Sequence, residues 1–127
     1  MRLLLDTHVL LWWLDRYQAI PVKTQKILED GRHTVFVSAV TAWEITIKQA
    51  LGKLHAPDTL EEALAVNHFL PLPISFQHAV VAGRLPRYHD DPFDRMLIAQ
   101  AQTENLTCVT HDERFRKYDV SILWNKP

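Results

Sequence analysis

Along this chain the spacing of apolar positions switches repeatedly between a compact run and a helical period. Residues 2–5 form a short apolar run that ends at Asp6, and residues 7–17 continue as a strongly apolar helical stretch, which predicts a strand feeding a helix. Pro21 suits the first turn of a second helix through Leu28, and Gly31 stops it. Residues 34–37 are β-branched and aromatic enough for a second strand, after which Ser38 caps a helix over 39–51 with Gly52 just past its end. Asp58 or Thr59 opens a helix to about residue 67, and 69–74, with two prolines, reads as a short edge strand. Ser75 caps a helix to Gly83. After a polar loop over 85–90, Pro92 opens a helix to about Glu104. Residues 107–110 form a strand, Asp112 starts a short helix, and 120–123 close the sheet.

Strands therefore alternate with helices, which predicts an α/β fold with a mainly parallel central sheet flanked by helices on both faces, joined by right-handed crossovers. At 127 residues with 47% hydrophobic content the chain suits one domain over residues 1–127. In open parallel sheets ligands bind at the carboxyl ends of strands, where Asp6 and Asp112 fall.

Both of those acids also suit the ordinary role of a helix N-cap. Glu44 is different, because at helical spacing it shares a row with Val40, Ile47 and Leu51, with Trp43 beside it. A carboxylate on an apolar face must be protonated, paired with a base or bound to a metal, since burying it alone costs at least several kcal/mol. Lys48, one turn on, is the ordinary partner. Asp94 precedes Leu97, Ile98 and Ala101 by three, four and seven residues and so also faces inward, while Asp91 reads as the cap of its helix. Four acids from separate segments converging on one pocket would repel each other unless a cation neutralised them. With no cysteine set and no helix-spaced histidine pair, hard oxygen ligands favour Mg²⁺ or Mn²⁺ over zinc.

Composition narrows the alternatives. A net charge of -1 excludes a globally basic nucleic-acid binder, so any such contact must be local. Three glycines, none in a phosphate-cradling loop, exclude a P-loop, and no Gly-x-Ser-x-Gly elbow appears. The single cysteine, Cys108, excludes an internal disulfide, reads as a core residue and fits a reducing cytoplasm. Residues 1–14 are interrupted by Asp6 and His8, unlike a signal peptide, and no run approaches the ~20 apolar residues of a membrane span, so a soluble protein is expected. His8, His89 and His111 neighbour the acids and are candidates for substrate orientation or proton transfer. Arg84, Arg87, Tyr88 and Arg95 surround the loop before Asp91 and are candidates for contacting phosphate and stacking a base. Residues 9–14, with Trp12 and Trp13, are apolar nearly all round, as in a central helix with one side in an interface.

In order along the chain, Leu3-Leu-Leu-Asp-Thr-His8, Ser38-Ala-Val-Thr-Ala-Trp-Glu-Ile45, Asp91-Pro-Phe-Asp-Arg-Met-Leu-Ile-Ala99 and Leu106-Thr-Cys-Val-Thr-His-Asp112 resemble the PIN-domain family, and within it the VapC toxins of type II toxin–antitoxin pairs. The resemblance implies a PIN fold and a Mg²⁺- or Mn²⁺-dependent endoribonuclease acting on RNA. Residue by residue, Asp6 matches the first metal-binding acid, Glu44 the acid of the third helix, Asp94 the acid opening the helix with Leu97-Ile98-Ala99, and Asp112 the last acid. On that likeness Asp6 and Asp94 bind metal most directly, while Glu44 and Asp112 complete the site or orient the attacking water. Asp91 is a second candidate for the role given to Asp94. The resemblance also implies a homodimer and a VapB-like antitoxin that blocks the acidic groove. Two other readings remain: a haloacid-dehalogenase-like phosphatase with Asp6 as phosphoryl acceptor, against which stands His8 where that family has a second aspartate, and a non-catalytic binding module whose acids are only caps and ion pairs.

Overall fold

The computed structural model of the protein describes residues 1–54, 56 and 59–124. Five strands, β1 (Arg2–Leu5), β2 (Thr34–Ser38), β3 (Leu70–Leu72), β4 (Thr107–Val109) and β5 (Ser121–Leu123), form one sheet in the order β3-β2-β1-β4-β5. Every pairing is parallel. The helices are α1 (Thr7–Asp15), α2 (Val22–Glu29), α3 (Ala39–Ala50), α4 (Leu60–Val66), α5 (Phe76–Arg84) and α6 (Pro92–Glu104), with 3-10 turns at Tyr17–Ala19 and Glu113–Lys117.

β1 is central and reads as unbroken leucine because both of its faces are covered. Its alternating side chains enter two cores: Leu3 and Leu5 pack with Val9, Leu10, Leu28, Val35 and Ile45 on one side, and Leu4 packs with Leu97, Ile98, Cys108 and Phe115 on the other. The chain runs from β1 outward to β2 and β3, then returns across β1 to β4 and β5. This reversal makes the crevice between the carboxyl ends of β1 and β4 the topological switch point, where α/β sheets open to ligands.

The caps predicted from sequence are present. Ser38 accepts from the Val40 N–H at 3.0 Å, and Gly52 adopts φ +69° just after α3. Ser75 and His78 form a reciprocal capping box on α5, and Asp91 accepts from the N–H groups of Phe93 and Asp94. Other expectations shift. α1 ends at Asp15 rather than 17, because Arg16 leaves helical geometry and the following turn is fastened by the Gln25 side chain to the Tyr17 and Ile20 carbonyls. In α1, Val9 and Leu10 are buried and residues 11–14 half-buried. Pro21 precedes α2 as its N-cap instead of entering its first turn. Asp58 lies outside the described residues, and Thr59 is the N-cap of α4. Among the described residues no helix is long and apolar enough to cross a membrane. Cys108 is buried in the second core, where burial pushes its thiol up to about 12 and leaves it an inert packing group.

Candidate metal centre at the switch point

Asp6 stands at the end of β1. Its backbone N–H continues the sheet by donating to the Val109 carbonyl at 3.0 Å, and its side chain turns into the crevice. There Oδ2 accepts from the Thr110 hydroxyl at 2.7 Å, and Oδ1 caps α1 through the His8 N–H at 3.4 Å. Thr110 Oγ1 also accepts from the Asp112 N–H at 3.0 Å, so one hydroxyl ties the first acid to the segment bearing the last. Burial raises the Asp6 carboxyl above the ordinary carboxylate range against the pull of Thr110 and His8, and the charge of Asp112 adds to the rise.

Glu44 is buried on α3, but its inward row is Val40, Thr41 and Ile45; Leu51 and Trp43 are exposed. The expected row with Leu51 is therefore corrected: the buried residues of α3 lie in its N-terminal half, Ile47 to Gln49 are half-buried, and Leu51 lies past the covered stretch. A buried hydroxyl pair, Thr7 with Thr41 at 3.0 Å, fixes the start of α1 against α3. Glu44 Oε2 accepts from Lys48 Nζ at 2.7 Å, whereas the buried Oε1 has no hydrogen-bond partner.

Asp94 lies in the first turn of α6, and its Oδ2 meets His89 Nε2 at 2.8 Å. The Asp91 N–H points to His89 Nδ1 at 3.2 Å, which assigns the ring proton of the neutral imidazole to Nε2 and makes it a donor to Asp94. His89 is itself held by the hydroxyl of Tyr118, which accepts the His89 N–H at 3.0 Å and donates to the Pro86 carbonyl at 2.6 Å. Burial, reinforced by the charges of Asp6, Asp91, Glu44 and Asp112, pushes Asp94 up to about 8. Asp112 lies 3.6 Å from His89 Nε2 through Oδ2 and caps the 3-10 turn after β4. Desolvation alone would raise its carboxyl, but the Arg114 guanidinium on both oxygens, at 2.7–3.2 Å, outweighs this and carries it below the ordinary value.

Asp94 thus feels the charges of Asp6, Glu44 and Asp112, and each of the four predicted acids is held by a group of its own: Thr110, Lys48, His89 and Arg114. Asp91 caps α6 through Oδ1, and its charge also reaches Asp94. Ligand atoms of His89, Asp94 and Asp112 lie within 4.8 Å of one another. A divalent cation fits this donor set on two counts: a buried carboxylate oxygen stands unpaired, and a second acid is so buried and so crowded by like charge that it takes a proton near neutrality. Because His89 donates through Nε2, it orients a ligand, and the carboxylates form the hard-oxygen set suited to Mg²⁺ or Mn²⁺.

Beside the acids opens a cavity of about 500 Å³ walled by Asp6, His8, Trp12, His111, Asp112, Glu113 and Arg114. The basic loop behaves otherwise than expected. Arg95 donates to the carbonyls of Ala82, Leu85, Pro86 and His89 and so holds the loop together, which removes it as a phosphate contact; Arg84, Arg87 and Tyr88 remain exposed. Thr110, Lys48 and Arg114 were legible only weakly: Lys48 as a helical neighbour of Glu44, the other two as residues two positions either side of Asp112.

A chain of the VapBC2 complex from Rickettsia felis, crystallised on a promoter DNA fragment, shares the fold at a TM-score of 0.72 and 15% identity, over 96% of this chain and 97% of that one. A chain of FitAcB from Neisseria gonorrhoeae matches at 0.62 and 23% identity, over 94% and 95%. A toxin-antitoxin complex from Klebsiella pneumoniae matches at 0.63 and 18% identity, over 95% of each chain. No curated protein matches the sequence. The model of the PIN domain covers residues 3–121, from the strand that carries Asp6 to the strand after Asp112, and the chain accordingly belongs to the PIN-domain family.

Proposed function

We propose that this protein is a Mg²⁺- or Mn²⁺-dependent endoribonuclease that hydrolyses RNA phosphodiester bonds, and that it is the toxin of a toxin–antitoxin pair in the cytoplasm, restrained by a VapB-like antitoxin. The observation that carries the reading is a buried Asp94 within reach of the charges of Asp6, Glu44 and Asp112, while one buried oxygen of Glu44 stands unpaired. Membership of the PIN family and a fold shared with chains of VapBC and FitAB complexes support it.

Asp6 and Asp94 hold the cation most directly, and Glu44 and Asp112 complete the site. When bound, the cation supplies activation of water and stabilisation of charge on the phosphodiester during in-line displacement. The chain's own groups set up this chemistry. Thr110 fixes the rotamer of Asp6, and His89 fixes that of Asp94 through Oδ2. Glu44 and Asp112 are placed to orient the attacking water, and the neutralised acid cluster admits a phosphate that four bare carboxylates would repel. The domain spans residues 1–127 and works as a homodimer, for which the exposed Leu70, Ile74 and Phe76 offer apolar surface.

The test is cleavage of single-stranded RNA by protein freed of any antitoxin. Cleavage requires Mg²⁺ or Mn²⁺, stops with chelator and is abolished by Asp6→Asn. Cleavage that survives both the chelator and the substitution removes Asp6 from the site, and a phosphorylated Asp6 trapped with a phosphate ester would return the reading to a phosphatase.

A further inference from the structure

We infer that the cavity beside the acids is a stacking slot for one unpaired nucleobase next to the scissile phosphate, built by Trp12, His8 and His111. The inference rests on the nuclease reading and adds to it how the RNA is gripped.

Three rings meet at the slot. Trp12 lies 6.2 Å from His8, tilted to it by 48°, and 6.0 Å from His111 in an edge-to-face contact at 71°, so neither pair is stacked face to face. Behind them the buried Trp124 backs both Trp12, at 5.6 Å, and His111, at 5.5 Å, which holds the rings in place from the core side. His8 and His111 are exposed and Trp12 is half-buried, an unusual concentration of open aromatic surface at one sheet edge. Their positions follow from the site itself: His8 is two residues after Asp6, Trp12 one turn further along α1, and His111 precedes Asp112.

The chemistry of the walls selects the occupant. Asp6 and Asp112 belong both to the cavity and to the acid cluster, so a ligand seated here also touches the place where a cation and a phosphate meet. A flat π system joined to a phosphate is a nucleotide, and every base offers such a face whatever its sequence. The volume of about 500 Å³ admits a base with its ribose. Arg114, 58% exposed on the same wall, pairs through Nε and Nη2 with Asp112 and so offsets one of the wall's negative charges. The slot requires an unstacked base, which selects single strands and loops over duplex RNA.

The experiment measures binding of short single-stranded RNAs, each lacking one base in turn, to the full chain in Ca²⁺. Wild type is expected to lose about ten- to hundredfold in affinity at one position next to the cut site and little elsewhere. His8→Ala/His111→Ala is expected to bind intact RNA as weakly as wild type binds that abasic RNA, with no additional loss on the abasic RNA and with its Mn²⁺ affinity and melting temperature retained. Trp12→Leu gives the same result if its melting curve shows it folded. A flat scan on RNA that wild type binds and cuts, or a double variant that binds intact RNA like wild type, overturns the slot while leaving the nuclease. A double variant that keeps RNA affinity but loses a co-expressed antitoxin also overturns it, by giving the surface to a protein. Wild type that neither binds nor cuts any RNA overturns the nuclease reading and the slot with it.

Discussion

Two buried histidines on the same side of the sheet are wired alike and serve different ends. His78, in the first turn of α5, accepts the Ser75 N–H at Nδ1 (2.9 Å) and meets Glu104 with Nε2 at 2.9 Å, with Gln100 Nε2 also 3.3 Å from Nδ1. His89 accepts the Asp91 N–H at Nδ1 and meets Asp94 with Nε2. The difference lies in what surrounds each carboxylate. Glu104 is 38% exposed and reaches water, so the His78 pair is a joint between α5 and α6. The Asp94 side chain is 14% exposed among Asp6, Asp91, Glu44 and Asp112, which together with burial hold it near 8. A buried histidine–carboxylate pair is therefore not what marks the site; the surplus of acid around one of the two pairs is.

The comparison breaks first on activity. Asp94→Asn is expected to cut RNA cleavage on the order of a thousandfold, while Glu104→Gln changes it by less than about twofold. Equal losses in steady-state assays of the two variants would erase the distinction. On the histidines, His89→Ala should weaken Mn²⁺ binding by about 10–100-fold in calorimetry, because Asp94 loses the group that orients it. His78→Ala should leave Mn²⁺ affinity alone and lower stability by about 1–3 kcal/mol, through the Ser75 N–H it strands. A matching drop in Mn²⁺ affinity for His78→Ala would mean the joint also shapes the site.

The most diagnostic effect is the pH dependence. Asp94 titrates near 8 in the metal-free fold against an ordinary value of 3.8, so between those values the folded state binds the extra proton. The metal-free protein therefore gains from Asp94 protonation at low pH and loses stability as pH rises from about 4 to 8. Asp94→Asn removes that slope, and melting curves should show the variant more stable than wild type at pH 8 by an amount on the order of a few kcal/mol, vanishing near pH 4. A cation competes with the same proton, so Mn²⁺ binding to wild type should tighten by about tenfold per pH unit up to about 8 and then level off. Flat profiles for both would place Asp94 in water.

Much of this was readable along the chain because it is local. Asp91-Pro92, Ser38 and Ser75 announce helix starts within four residues, and the inward stripe of α6 from Asp94 follows from helical spacing alone. The four acids were legible because each sits at a strand end or on an apolar row. Of the pairings that hold them, Glu44 with Lys48 follows from helical spacing, but the Thr110 bond to Asp6 spans 104 positions and depends on β1 lying beside β4. Arg95 misled for the same reason: its charge suggests phosphate, but the loop folds four carbonyls around it. The Glu44 row failed in part because helical spacing names neighbours without saying which end of the helix the core covers.

The central claim is that these acids hold a divalent cation, and the most direct measurement is the anomalous scattering of a crystal loaded with Mn²⁺. The account predicts a peak within ligand distance of Asp94 and of at least one among Asp6, Glu44 and Asp112, with Glu44 Oε1 no longer unpaired. No peak at the crevice, with Lys48, His89 and Arg114 still on their carboxylates at saturating Mn²⁺, would contradict it.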